Sequence, residues 1–147
     1  MKKLASILLV LLFLAGCAAI PDAVLTSLPG EGQGRMDTHG KFQDYTDYGK
    51  YYYPELCDES LGSNPYFRRV NTDDVSIIQG YLEDFEKWVE LAKDCDDCSL
   101  AENYDFDQQI IRQGDWFYLD SDGTYDSYDL YYICMDTKTV YYFHNNI

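Results

Sequence analysis

The stretch "NTDDVSIIQGYLEDFEKWVELAKD", residues 71–94, decides the fold. Val75, Ile78, Leu82, Phe85, Val89 and Ala92 follow one another at steps of three and four, the spacing that draws one apolar stripe along an α-helix. Ile77, Tyr81 and Trp88 widen that stripe. Thr72 or Asp73 is the expected N-cap, and Asp73 and Asp74 suit the positive end of a helix. Glu83 and Lys87 are spaced as an i,i+4 ion pair on the opposite side. Gly80 costs up to ~1 kcal/mol in a helix interior, which points to a close contact with a neighbouring element. A stripe of this kind is a core face, so something must cover it.

The cover lies downstream. "DWFYL" (115–119), "DLYYICM" (129–135) and "TVYYFHN" (139–145) are dominated by aromatic and β-branched residues and read as strands. "MDTKT" is a short hairpin turn and "DSDGTYDSY" a longer connection. The expected fold class is therefore α+β: one long amphipathic helix packed on a C-terminal antiparallel three-stranded meander. Tyr131, Ile133 and Met135 alternate with Leu130, Tyr132 and Cys134, so both faces of the meander are bulky. The helix covers one. The segment "YYYPEL" (51–56) is expected to fold over the other, the alternative being a partner surface.

Upstream, "PDAVLTSLPGEGQGRMDTHGK" is rich in Gly and polar residues and shows neither helical nor strand periodicity. Its "GEGQG" is no phosphate cradle, because no Lys-Ser/Thr follows and no strand precedes. It reads as a flexible tether, and about 25 such residues span roughly 25–30 Å. Before it, Lys2 and Lys3 precede an apolar run from Leu4 to Leu14, too short for a comfortable transmembrane helix. The run ends in "LAGC", residues 14–17. This N-terminus resembles the lipobox signal of bacterial lipoproteins, over the first 17 residues only. The resemblance implies cleavage before Cys17, diacylation of its thiol and stable anchoring through several acyl chains. It places the chain on the extracytoplasmic face of the cell membrane or outer membrane, with the membrane as partner through the lipid. An ordinary signal peptide cleaved near Ala18 or Ala19 is the alternative. The expected organisation is a signal peptide (1–16), a lipid-anchored tether (17–43) and a single domain (44–147).

The formal charge is −15, and removal of Lys2 and Lys3 makes it more negative. Such a chain is repelled by nucleic acid and by anionic headgroups, which excludes both as partners. Fifteen tyrosines in 147 residues are the oddest feature of the composition. Catalytic material is thin. His39 falls in the tether and His144 in a strand, where a structural or surface role is expected. No hydrolase, kinase or transferase motif and no cofactor signature appears. In the loop after residue 119, Gly123 follows Asp122 and Asp120 as a calcium loop requires, with Asp126 nearby. Tyr118 then occupies the first ligand position and no glutamate closes the loop, so Asp120, Asp122 and Asp126 are weak candidates.

Four cysteines besides Cys17 remain: Cys57, Cys95, Cys98 and Cys134. "KDCDDCSL" (93–100) sets Cys95 and Cys98 at the expected C-terminal end of the helix, among Asp94, Asp96 and Asp97. The helix end and the carboxylates both oppose a further negative charge there, which argues against a nucleophilic thiolate. Zinc would need ligands from elsewhere. In an exported chain an even set of cysteines reads as two disulfide staples, with three possible pairings. Joining Cys95 or Cys98 to Cys57 or Cys134 would close loops of some 35 to 40 residues, for roughly 3–4 kcal/mol. The acidic run at the helix end, continued by Glu102, Asp105 and Asp107, calls for compensation by Arg68, Arg69, Arg112, a cation or a basic partner. The reading that results is a lipid-anchored, acidic, Tyr-rich module that binds an envelope protein or glycan and catalyses nothing. The alternatives are an extracytoplasmic thiol–disulfide oxidoreductase using Cys95 and Cys98, and a calcium-stabilised structural lipoprotein.

Overall fold

The computed structural model describes residues 22–41, 44–95 and 98–147. Cys17 and the signal segment lie outside this range, as do Asp96 and Asp97. The elements in chain order are α1 (Ala23–Thr26), β1 (Gln33–Lys41), β2 (Asp44–Tyr52), α2 (Asp58–Gly62), β3 (Arg68–Arg69), α3 (Thr72–Ala92), α4 (Ser99–Asn103), β4 (Trp116–Ser121), β5 (Ser127–Cys134) and β6 (Thr139–Asn146). A 3₁₀ turn at Gln108–Ile110 precedes β4. The class is α+β, with one long helix on an antiparallel sheet. The sheet has six strands in the order β1-β2-β6-β5-β4-β3, where the sequence predicts a three-stranded meander.

The long helix α3 buries Ile78, Tyr81, Leu82, Phe85, Val89 and Ala92. Each such large apolar side chain contributes about 1.5–3 kcal/mol. Ile77 does not join the stripe and is exposed. Asn71, one residue before the expected caps, holds the first turn by accepting from the Asp73 and Asp74 amides, and Asp74 returns the bond to the Asn71 amide. Lys87 pairs with Asp84 at 3.7 Å in place of the expected Glu83. The close neighbour at Gly80 is Tyr125, whose hydroxyl would lie 2.9 Å from an added Cβ.

The sheet separates two cores. Under α3 lie Tyr48, Phe117, Leu130, Tyr132, Cys134 and Phe143. On the other face, Tyr131, Ile133, Val140 and Tyr142 meet Tyr53, Leu56, Leu61 and Phe67, so the "YYYPEL" segment does fold over it. Val24 and Leu28 complete that cover. Residues 22–41, expected as tether, are thus part of the fold, and the domain boundary at 44 is too late. An edge strand exposed along most of its length needs no apolar alternation, and β1 offers none; it is held by backbone pairing with β2 from Gln33↔Tyr52 to Lys41↔Asp44.

The tyrosine excess and the acidic excess have a joint explanation. Tyr48 donates to Asp105 at 2.7 Å, Tyr104 to Glu86 at 3.1 Å, Tyr131 to Asp22 at 2.5 Å, Tyr132 to Asp115 at 2.6 Å and Tyr142 to Asp129 at 2.6 Å. A ring that is buried while its hydroxyl needs an acceptor finds one in a carboxylate. Burial first, then the neighbouring carboxylate, pushes all five phenols well above the usual range. The arginines serve other places than the end of α3. Arg68 pairs with Asp74, Arg69 with Asp58, and Arg112 with Asp115 and Asp136.

Candidate functional site

The most chemically loaded corner forms where the end of α3, α4 and β1 meet. Arg35, Asp37 and His39 alternate along β1 and so share a face. Asn103 at the end of α4 ties that face down: its amide donates to Asp37 at 2.9 Å, and its carbonyl accepts from Arg35 at 2.9 Å. Leu100 of α4 is buried in the helix-side core. The same packing brings Cys95 and Cys98 against His39. Cys98 Sγ lies 3.4 Å from His39 Nδ1, and Cys95 Sγ 3.9 Å from His39 Nε2. Cys98 is buried and Cys95 exposed.

Two hollows flank the corner. One, of 190 Å³, is lined by both thiols with Ala92, Lys93, Ala101 and Glu102. The other, of 270 Å³, is lined by His39, Gly40, Asp44, Tyr45, Thr46, Trp88, Leu91 and Ile147. Leu91, Ile147 and Tyr45 on its rim are 57 %, 50 % and 37 % exposed, so large apolar side chains from α3, β2 and the residue after β6 turn outward around one opening.

The remaining cysteines are far from this corner. His39 pairs with Thr46, and Thr46 with Asn145, at one end of the sheet. Cys134 pairs with Thr139, and Thr139 with Tyr52, at the other. From Thr46 to Tyr52 along β2, at about 3.3 Å per residue, the ends stand about 20 Å apart. A disulfide needs Cα atoms within roughly 7 Å. Cys57 caps α2, whose Leu61 packs on the second face, whereas Cys134 faces α3. The long-loop staples from Cys95 or Cys98 to Cys57 or Cys134 do not fit this fold, and neither does Cys57 with Cys134 through the sheet. All four described cysteines are free thiols, and Cys95 and Cys98 share the His39 imidazole. Cys57 is exposed, and hydrogen bonds from the Ser60 side chain and amide hold its thiol below the usual range.

The acidic loop is built as a turn. Asp122 Oδ1 accepts from the Thr124 amide at 2.9 Å and the Thr124 hydroxyl at 2.7 Å, and Gly123 takes φ +92°. Asp120 stands on β4, opposite Asp129. Among the described residues no three His, Cys, Asp or Glu side chains converge to hold a metal ion, at Asp120, Asp122 and Asp126 or elsewhere.

A polar row crosses the second face, with Asp47, His144 and Asp129 side by side on β2, β6 and β5. His144 Nδ1 meets Asp129 at 2.8 Å. Burial would lower the His144 pKa, but the hydrogen bond and charge of Asp129, with Asp47, raise it above its ordinary value. Burial likewise works against the Asp129 charge, yet bonds from His144 and Tyr142 hold its carboxyl below the usual range. The raised histidine stabilises the fold below its unfolded pKa of about 6.5, and that contribution disappears as pH rises through the higher folded value. The depressed aspartate contributes above about pH 4 and is lost as pH falls through its lower folded value. Urea midpoints should therefore fall from pH 6 to pH 8.5 in the native chain, and this fall should shrink in His144→Asn. An unchanged slope in the variant would sink the assignment. Among the described residues Asp47, 7 % exposed, has no partner at Oδ1, nor has His144 at Nε2.

Sequence reasoning missed His39 because it reads as tether, and Asp47 because β2 is interrupted by Asp and Gly. The alternation of Arg35, Asp37 and His39 is the one local signal that these residues share a face. The chain matches no protein-family profile, no curated protein and no solved structure.

Proposed function

We propose that the protein is a lipid-anchored binding module of the bacterial cell envelope, held through Cys17 on the extracytoplasmic face. The lipobox resemblance supports the anchor. The observation that carries the binding reading is the 270 Å³ hollow, with Leu91, Ile147 and Tyr45 exposed around it and Trp88 at its wall. Exposed apolar side chains gathered at one opening mark a contact surface more than scattered ones do. The lining favours a polypeptide over a glycan, and a net charge of −15 favours one whose apolar anchor residue is set among basic residues. Among the described residues no helix is long and apolar enough to cross a membrane. Asp22 is held in the fold by the Tyr131 hydroxyl, so the chain from Cys17 to it reaches at most about 17 Å when fully extended. The module then rides close to the headgroups, not at the distance a long tether would give.

Two measurements test this. Cys17→Ser should abolish labelling by an alkynyl fatty acid, and undiminished label would remove the anchor. A photo-crosslinking residue at position 91 of the full chain, in cells, should give one discrete protein adduct that Trp88→Ser abolishes. The same residue at position 77, exposed elsewhere on α3, should give none. Equal adducts at both positions would overturn the hollow as the binding surface.

A further inference from the structure

We propose that Cys95 and Cys98, served by His39, form a thiol–disulfide exchange centre acting on a disulfide of a polypeptide partner. This goes beyond the binding reading and does not depend on the lipid anchor.

The fold isolates this pair. Cys57 and Cys134 are out of reach, so an oxidised Cys95 has Cys98 as its intramolecular partner. The two-residue spacing allows the Cα separation that a disulfide needs. A purely structural role suits the pair poorly: a bond across so short a loop constrains the unfolded chain far less than the long-range staples would. The thiols also differ as attacking and resolving sulfurs must. Both line the 190 Å³ hollow, where Cys95 is exposed and Cys98 is buried.

His39 changes what the sequence implied about these thiols. An imidazole that touches both sulfurs, one through each ring nitrogen, supplies a proton acceptor for each in turn. The thiolate then forms beside an imidazolium, not beside carboxylates alone. The apolar hollow on the far side of His39 offers a place for a side chain flanking the partner's disulfide.

The exchange balances as follows. Cys95 gives its proton to His39 Nε2, and its sulfur attacks one sulfur of the partner disulfide. A Cys95–partner mixed disulfide forms, the partner's S–S bond breaks, and the departing thiolate takes a proton from the imidazolium. Cys98 then gives its proton to His39 Nδ1 and attacks Cys95 Sγ. The Cys95–Cys98 bond forms, and the second partner sulfur leaves and is protonated by the imidazolium. The partner disulfide is reduced to two thiols, and the two cysteine thiols are oxidised to one disulfide. Run backwards, the same steps oxidise a partner dithiol.

The test uses the full chain carrying Cys17→Ser and Cys57→Ser, which leaves Cys95 as the exposed thiol among the described residues, reduced and then mixed with glutathione disulfide. Intact mass should show the protein lighter by one pair of hydrogens with no glutathione retained, and peptide mapping should place the bond at Cys95–Cys98. Adding Cys98→Ser should halt the reaction at a mixed disulfide on Cys95. Cys95→Ser and His39→Asn should each slow glutathione release by about tenfold or more, and His39→Asn should flatten the rise of rate with pH around neutrality. The Cys98→Ser trap keeps the assignment falsifiable where His39→Asn loosens β1. A stable glutathione adduct on Cys95 with Cys98 intact would overturn the proposal, as would a Cys95→Ser chain that reacts at the parent rate. An unchanged rate and pH profile in a folded His39→Asn chain would remove His39 from it.

Discussion

Replacing Asp115 by alanine should cost about 2–4 kcal/mol of folding free energy, the sum for one lost charge-assisted hydrogen bond and one stranded amide. Asp115 is 1 % exposed and sits at the junction of β3, β4 and the hairpin after β5. Its carboxylate accepts from the Tyr132 hydroxyl at 2.6 Å and the Met135 amide at 3.0 Å, and pairs with Arg112 at 3.2 Å. Alanine strands the Met135 amide at about 1–3 kcal/mol and takes the charged acceptor from the Tyr132 hydroxyl, which keeps the Ile110 carbonyl at 3.0 Å. Asp115→Asn keeps one acceptor oxygen and should lose roughly half as much. Urea denaturation of the three chains measures the differences directly. A midpoint unchanged in the alanine variant would show that the cluster holds nothing together.

The second large effect concerns where the domain begins. A chain starting at Asp44 should fail to fold cooperatively, whereas one starting at Asp22 should melt sharply. The shorter chain loses all of β1 and bares the edge of β2. It also strips Val24 and Leu28 from the second core, at about 1.5–3 kcal/mol for each side chain. Tyr131 loses its acceptor Asp22, for a further ~1–3 kcal/mol. Those losses together approach the 5–15 kcal/mol that a typical domain has in total. Near-ultraviolet circular dichroism and thermal melts of both truncations would decide it. A sharp melt of the 44–147 chain would return residues 22–41 to the status of a tether.

What the sequence made legible follows from period and composition. The stripe of α3 and the aromatic runs of β4, β5 and β6 carry their own burial pattern, because each is covered on a defined face. β2 carries a weaker one, broken by Asp47 and Gly49. β1 carries none, since an exposed edge strand draws its stability from backbone bonds that any residue type can make. Asn71 outranks Thr72 as cap because Asp74 answers it three residues on, a reciprocity visible in "NTDD" once Asn is placed first. The meeting of Cys95 and Cys98 with His39 could not be read locally. It depends on β1 being a strand at all, and on α4 docking against it through Leu100 and Asn103.

The pairing of buried phenols with carboxylates turns alkaline unfolding into an optical event. Tyr48, Tyr104, Tyr131, Tyr132 and Tyr142 are held protonated in the folded chain, so their protons leave when the fold opens. Their contribution to stability is complete below an unfolded phenol pKa of about 10 and drains away above it, since the native chain then binds more protons than the unfolded one. Five such groups acting together remove about 7 kcal/mol for each further pH unit. The loss therefore arrives over a narrow interval. Phenolate absorbs at longer wavelength than phenol, so the absorbance step of these five rings should coincide with collapse of the circular dichroism of α3. In this protein the chromophore and the fastening are the same bond.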